Sequence, residues 1–144
     1  MTATRLDQLS AIQSNPEVSG VVLPAIFKIM ELWSFSLDDQ MILLGLDDEA
    51  LLQNWKANPQ IVELTSDNIE RISYILGIFK SLEILLPNAQ IADSWLSTPN
   101  DNSIFSGVSP KSRLLKGSIA DLAEVRDFLQ KVASGLGPVE IFSA

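Results

Sequence analysis

Between Ile69 and Leu86, 11 of 18 positions are apolar, and the run is bracketed by Ser66-Asp67 before it and Pro87 after it. A helix this apolar cannot lie on a surface with one face in water; it must be covered nearly all round, by the rest of the fold or by a second subunit. Gly77 in its middle costs about 1 kcal/mol of helix propensity, which points to the close approach of another helix there. The chain has 144 residues, 47% of them hydrophobic. Folding at that length buries roughly 68 to 70% of the extended surface, enough to supply the cover without disulfides or a metal.

Glycine and proline sit where they would punctuate helices and strict alternation is missing, so the sequence predicts an all-α protein. A lead-in helix is expected over residues 4–14, closed by Asn15-Pro16. A second, over 18–33, carries Val22, Ile26, Ile29, Met30 and Trp33 on one side, with Pro24 either opening it or kinking it. Ser36 and Asp39 form a variant capping box before the stripe Leu37, Met41 and Leu44, which Gly45 ends. Asp47 is placed to cap the next helix, with Leu51, Leu52 and Trp55 turned inward. Helix, glycine turn and short helix make a helix-turn-helix pattern. Residues 58–65, with Pro59, mark a boundary between an N-terminal unit (1–60) and a C-terminal one (61–135). In the latter, Asn88 caps a short helix ending near Trp95-Leu96, and Thr98 to Ser103 is a polar loop. Ser109-Pro110 opens a helix ending at Gly117, and Ser118 with Asp121 starts the last one. That helix presents Leu122, Val125, Phe128, Leu129 and Val132 and stops at Gly135.

Cysteine and histidine are both absent, which removes thiol nucleophiles, histidine bases and zinc sites of the Cys/His kind. Asp38-Asp39 and Asp47-Asp48-Glu49 could serve a carboxylate enzyme or bind an oxygen-preferring cation, but capping already accounts for them and no calcium-loop pattern accompanies them. The chain therefore reads as a non-enzyme without cofactor or metal. Eighteen acidic residues against ten basic leave a net charge of -8, which repels nucleic acid and favours a protein partner. No run of 18 continuously apolar residues occurs and the first 14 residues hold no signal-peptide stretch, so no membrane association is expected and a cytoplasmic location is the default.

Glu70-Arg71-Ile72-Ser73-Tyr74-Ile75-Leu76-Gly77-Ile78, Ala92-Asp93-Ser94-Trp95-Leu96, Pro99-Asn100, Phe105, Gly107, Ser109-Pro110, Gly117 and Val125-Arg126-Asp127-Phe128-Leu129 occur in an order and spacing that resembles the toxin-binding domain of Xre/MbcA/ParS-type antitoxins. Upstream, Trp33-Ser34-Phe35-Ser36, Leu43-Leu44-Gly45-Leu46 and Trp55-Lys56 look like the divergent helix-turn-helix that precedes this domain in that family. The resemblance implies a non-catalytic antitoxin that blocks a RES-type, NAD-consuming toxin and often represses its own operon. A homodimer through the long apolar helix is expected. The alternative is a DNA-binding transcriptional regulator without a toxin.

On the resemblance, the toxin-facing residues are Trp95, Pro99, Asn100 and Ser109, although turn, cap and core roles explain each of them equally well. Lys111, Arg113 and Lys116 put three positive charges within six residues of an otherwise acidic chain. They either meet acidic groups on a partner or solvate their helix. The apolar tail 136–144 needs cover. In the family its counterpart enters the toxin's pocket, which points to Pro138, Val139, Glu140, Ile141 and Phe142; packing on its own domain or on a second copy is the other possibility. Over residues 28–60 two basic groups face six acidic ones, and the first residues of the would-be DNA-reading helix are Asp47-Asp48-Glu49, which phosphates would repel. Operator binding is thus in question, with Gln53, Asn54 and Lys56 the plausible contacts.

Overall fold

The computed structural model describes residues 16–135, and these are all-helical. Seven α-helices follow one another: α1 (Pro16–Leu32), α2 (Leu37–Leu44), α3 (Glu49–Ala57), α4 (Ser66–Leu85), α5 (Ala89–Ser97), α6 (Pro110–Leu114) and α7 (Ile119–Ala133), with one 3₁₀ turn, Pro59–Ile61, between α3 and α4. The expected lead-in helix over 4–14 and the tail 136–144 lie outside the described residues.

The helix starts follow local chemistry. Ser36 and Asp39 form a reciprocal capping box, each side chain accepting the other's backbone N–H at 3.1 Å, and Gly45 closes α2 in the left-handed conformation at φ 72°. The same turn corrects an expectation. Asp48, not Asp47, caps α3, its carboxylate accepting the Ala50 N–H at 2.9 Å. The inward stripe of α2 also differs: Leu37 is exposed, while Gln40 is buried with its amide donating to the Phe35 carbonyl at 3.1 Å. A polar side chain took the inner place because the turn before α2 has a carbonyl to satisfy there. On α3, Leu52 and Trp55 face the core but Leu51 does not. Pro24 lies well inside α1, where its ring removes the amide that would bond to the Gly20 carbonyl. It does not open the helix.

α4 is the axis of the fold. Ile69, Ile72, Tyr74, Ile75, Ile78 and Leu82 are buried, and among its large apolar side chains only Ile84 is well exposed. The cover comes from α1, α2 and, most extensively, α7. Arg126 of α7 lies over the Tyr74 ring, 4.7 Å from its centroid, and a Cβ on Gly77 would meet the Arg126 side chain at 2.8 Å. The mid-helix glycine therefore does make room for a neighbouring helix. Because the Gly117 carbonyl, just before α7, accepts from Arg71, α7 runs parallel to α4, start beside start. Residues 58–65 are no bare linker: Val62 and Leu64 are buried, and one apolar cluster runs unbroken from Leu23 in α1 to Leu129 in α7. The two units suggested by the sequence share this core.

Candidate partner-binding surface

The residues singled out between Trp95 and Lys116 gather at one end of the helical assembly. After α5 the chain makes a closed loop: Asn100 and Val108 are tied by a backbone hydrogen bond of 3.1 Å, and Gly107 returns one to Asn100 at 2.9 Å. Within it, the Asn100 carboxamide accepts from the Asn102 N–H. Phe105 points inward from this loop, 1% exposed, and lies edge-on between Trp95 (5.8 Å) and Phe128 (5.8 Å). The inner ring is a core residue, whereas Trp95 and Phe128 remain half-buried and border solvent. Pro99 is exposed. Ser109 caps α6 by accepting the Ser112 N–H.

The basic cluster does not act as one. The Arg113 side chain, 13% exposed, donates to Asp121 at 2.6 Å, to Glu124 and to the Ile104 carbonyl, so it ties the loop, α6 and α7 together. Burial opposes its charge, but the hydrogen bonds and charges of Asp121 and Glu124 outweigh that and hold its pKa above the ordinary value. Asp121 mirrors it. Burial alone would raise its pKa, yet hydrogen bonds from Arg113 and Ser118, with the positive charges of Arg113 and Lys116, bring it below the usual carboxylate range. Lys111 donates to the Ser34 carbonyl at 3.0 Å and sits 4.8 Å over the Phe35 ring. Of the three, Lys116 alone is exposed.

An open groove beside Phe128 is walled by Ile104, Ser106, Glu124, Asp127 and Lys131 and encloses about 510 Å³. Arg113, Asp127 and Phe128 were named from the sequence, but Ile104, Ser106, Glu124 and Lys131 carried no signal there, because adjacency across the loop and α7 is set by tertiary packing. Arg71, named in the sequence only as part of the resemblance, has a role that was missed. It bonds Asp67 at 2.9 Å, the Gly117 carbonyl at 2.9 Å and the Ile42 carbonyl at 3.2 Å, joining the turns after α2 and α6. Nothing in the pattern around residue 71 announces partners that lie 29 and 46 positions away.

Adjoining α6 through Lys111 and Arg71, α2, the turn 45–48 and α3 form a helix-turn-helix-like hairpin. Gln53 and Asn54 are exposed, Asn54 accepting from the Asn58 side chain at 3.2 Å, but Lys56 is half-buried with its ammonium 5.3 Å from the Phe27 ring centroid. Asp38, Asp47, Asp48 and Glu49 are exposed around the same turn. Among the described residues there is no group of three acidic side chains able to hold a metal ion, and no single helix is long and apolar enough to cross a membrane. Pro138, Val139, Glu140, Ile141 and Phe142 lie outside the described residues.

The class defined this far is an all-helical protein built round one central helix, with an acidic hairpin and an aromatic-edged groove on its surface. No family model matches the chain and no solved structure does. It is 37% identical over 113 residues, 78% of its own length and 84% of the other's, to the uncharacterized protein y4oB of Sinorhizobium fredii (strain NBRC 101917 / NGR234). The chain belongs to the family of that protein.

Proposed function

We propose that this protein is the non-enzymatic antitoxin of a type II toxin-antitoxin pair, acting in the cytoplasm by binding and inhibiting a RES-type, NAD-consuming toxin. One observation carries the reading: the residues that bear the antitoxin resemblance, scattered over more than fifty positions, converge in space. Tyr74 and Gly77 receive Arg126, Trp95 meets Phe105 edge-on, Ser109-Pro110 starts α6 and Gly117 is held by Arg71. In this reading Trp95, Phe128 and the adjoining groove meet the toxin, and Pro138 to Phe142 plug its nucleotide pocket.

Co-expression with a neighbouring RES-domain gene, followed by affinity purification, tests the proposal. Growth rescue and co-purification are expected; a lethal toxin that fails to co-purify overturns it. Removing residues 137–144 should abolish rescue, and full rescue by the shortened chain would eliminate the plug. A homodimer, which would centre on Ile84 if formed through α4, is expected at twice 15.8 kDa in light scattering.

A second reading, a DNA-binding regulator, is favoured by the exposed Gln53 and Asn54 on α3. The four exposed carboxylates around that turn count against it, since phosphate contacts need positive groups. A gel shift on the protein's own promoter at low salt, where phosphate contacts are strongest, decides: no retardation removes DNA from the function.

A further inference from the structure

A second cavity, of about 140 Å³, opens where α4 ends. Trp33, after α1, and Phe79 of α4 set two aromatic rings in its wall, with centroids 6.2 Å apart and planes tilted by 49°. Leu82 and Leu86 extend the apolar part, and Glu83, an exposed carboxylate, stands in the same wall.

The charge at this spot is negative. The last turn of α4 has no basic side chain, and Pro87 has no amide to offer the Glu83 carbonyl. The negative end of the helix dipole is therefore left without a counter-charge. Asp93 lies one turn beyond Ala89 on α5, on the face whose Ala89 and Ala92 line the cavity. One of its carboxylate oxygens accepts the Ser34 hydroxyl at 3.1 Å, while Oδ1 is buried without a hydrogen-bond partner. Lys111 reaches the Ser34 carbonyl but does not pair with Asp93, and among the described residues neither Glu83 nor Asp93 has an ion-pair partner. A carboxylate oxygen shut away from water favours the arrival of a positive charge nearby, because in such surroundings charges act over several ångströms.

The chemistry of the wall selects the kind of cation. No group of three acidic side chains able to hold a metal ion occurs among the described residues, and most of this wall is carbon. A cation with an apolar stem meets both halves of it, since aromatic faces attract positive charge as well as hydrocarbon. We propose that the cavity binds a primary alkylammonium group of roughly four or five carbons, the size set by the single benzene that a dry cavity of about 150 Å³ takes up. The stem lies against Trp33 and Phe79, and the charge is answered by Glu83, Asp93 and the end of α4. A free small amine and the lysine side chain of another protein share this chemistry. The cavity has no residue in common with the groove beside Phe128, so the proposal goes beyond the function given above.

Proton–nitrogen NMR spectra of the full chain, titrated with n-butylammonium chloride, test it. The indole N–H of Trp33, one of three tryptophans, and the amides of Ala89 and Ala92 are expected to shift together. n-Butanol, of the same length but uncharged, should bind about fivefold more weakly, and E83Q and D93N should each weaken the ammonium about fivefold while leaving butanol unchanged, as expected for one partly solvated charge interaction. Glu83 is exposed, so E83Q keeps the comparison sound if D93N disturbs the Ser34 turn. Equal affinity for ammonium and alcohol, undiminished ammonium binding in E83Q, or no shift at these positions overturns the proposal. A tripeptide with a central lysine and blocked ends separates the two sources: binding tighter than that of butylammonium assigns the site to a lysine of a partner protein, and weaker binding assigns it to free amines. The measurement contains no toxin, so its outcome is separate from that of the co-expression experiment.

Discussion

The hairpin of α2 and α3 and the hairpin of α6 and α7 are built alike and charged in opposite ways. Each has a short helix, a left-handed glycine (Gly45, φ 72°; Gly117, φ 84°) and a side-chain cap for the second helix (Asp48, Ser118). The first carries carboxylates that stand in water; the second carries cations that turn inward. Lys111 rests on Phe35, and Arg113 is spent on Asp121, Glu124 and the Ile104 carbonyl. A charge count locates charged residues but does not say whether they are available. Here the acidic surface faces solvent, and the basic cluster is mostly mortar.

The largest effect that could break this contrast is loss of Arg113. R113A leaves Asp121 largely buried without its partner and should cost about 3 kcal/mol, or roughly 10 °C in melting temperature. A loss below about 1 kcal/mol in urea titration would show that the pair is ornamental. Next comes Arg71, which serves both hairpins at once. R71M removes hydrogen bonds to carbonyls at each turn and should cost about 2 kcal/mol, and hydrogen exchange should quicken at both Gly45 and Gly117; quickening at one alone would mean the two turns are independent.

Acid sharpens the comparison further. Asp121 has a folded pKa below its unfolded value, so its contribution is fully present above the unfolded pKa, about 3.9, and is lost as pH falls through the folded one. Stability should therefore drop below pH 4, and less steeply in D121N than in the parent. Equal slopes would assign acid sensitivity elsewhere. The smallest effect is expected at the first hairpin, where D47N and E49Q touch exposed groups and should change stability by less than about 0.5 kcal/mol. A larger change would reveal a structural role for these carboxylates.

Much of this architecture was legible locally. The caps at Ser36, Asn88, Ser109 and Ser118, the glycine stops at Gly45 and Gly135, and the crowding implied by Gly77 depend on neighbours within a few residues or on a missing side chain. What failed depended on partners far along the chain. Periodicity favoured Leu37 for the core, but the Phe35 carbonyl called for Gln40. Composition suggested that Lys111, Arg113 and Lys116 act together, yet tertiary packing gave two of them separate internal tasks. The groove around Phe128 was unreadable for the same reason: Ile104, Glu124 and Lys131 are joined only when the loop closes over α7.

The unbroken core has a mechanical consequence. With Leu23 and Leu129 in one cluster, the chain offers no hinge between the acidic hairpin and the aromatic edge, and a cut within residues 58–65 would divide a single packing unit and leave neither piece with a complete interior. Arg71, near the start of α4, bonds the turns of both hairpins, so an occupant of either hairpin would press on the same stretch of the central helix.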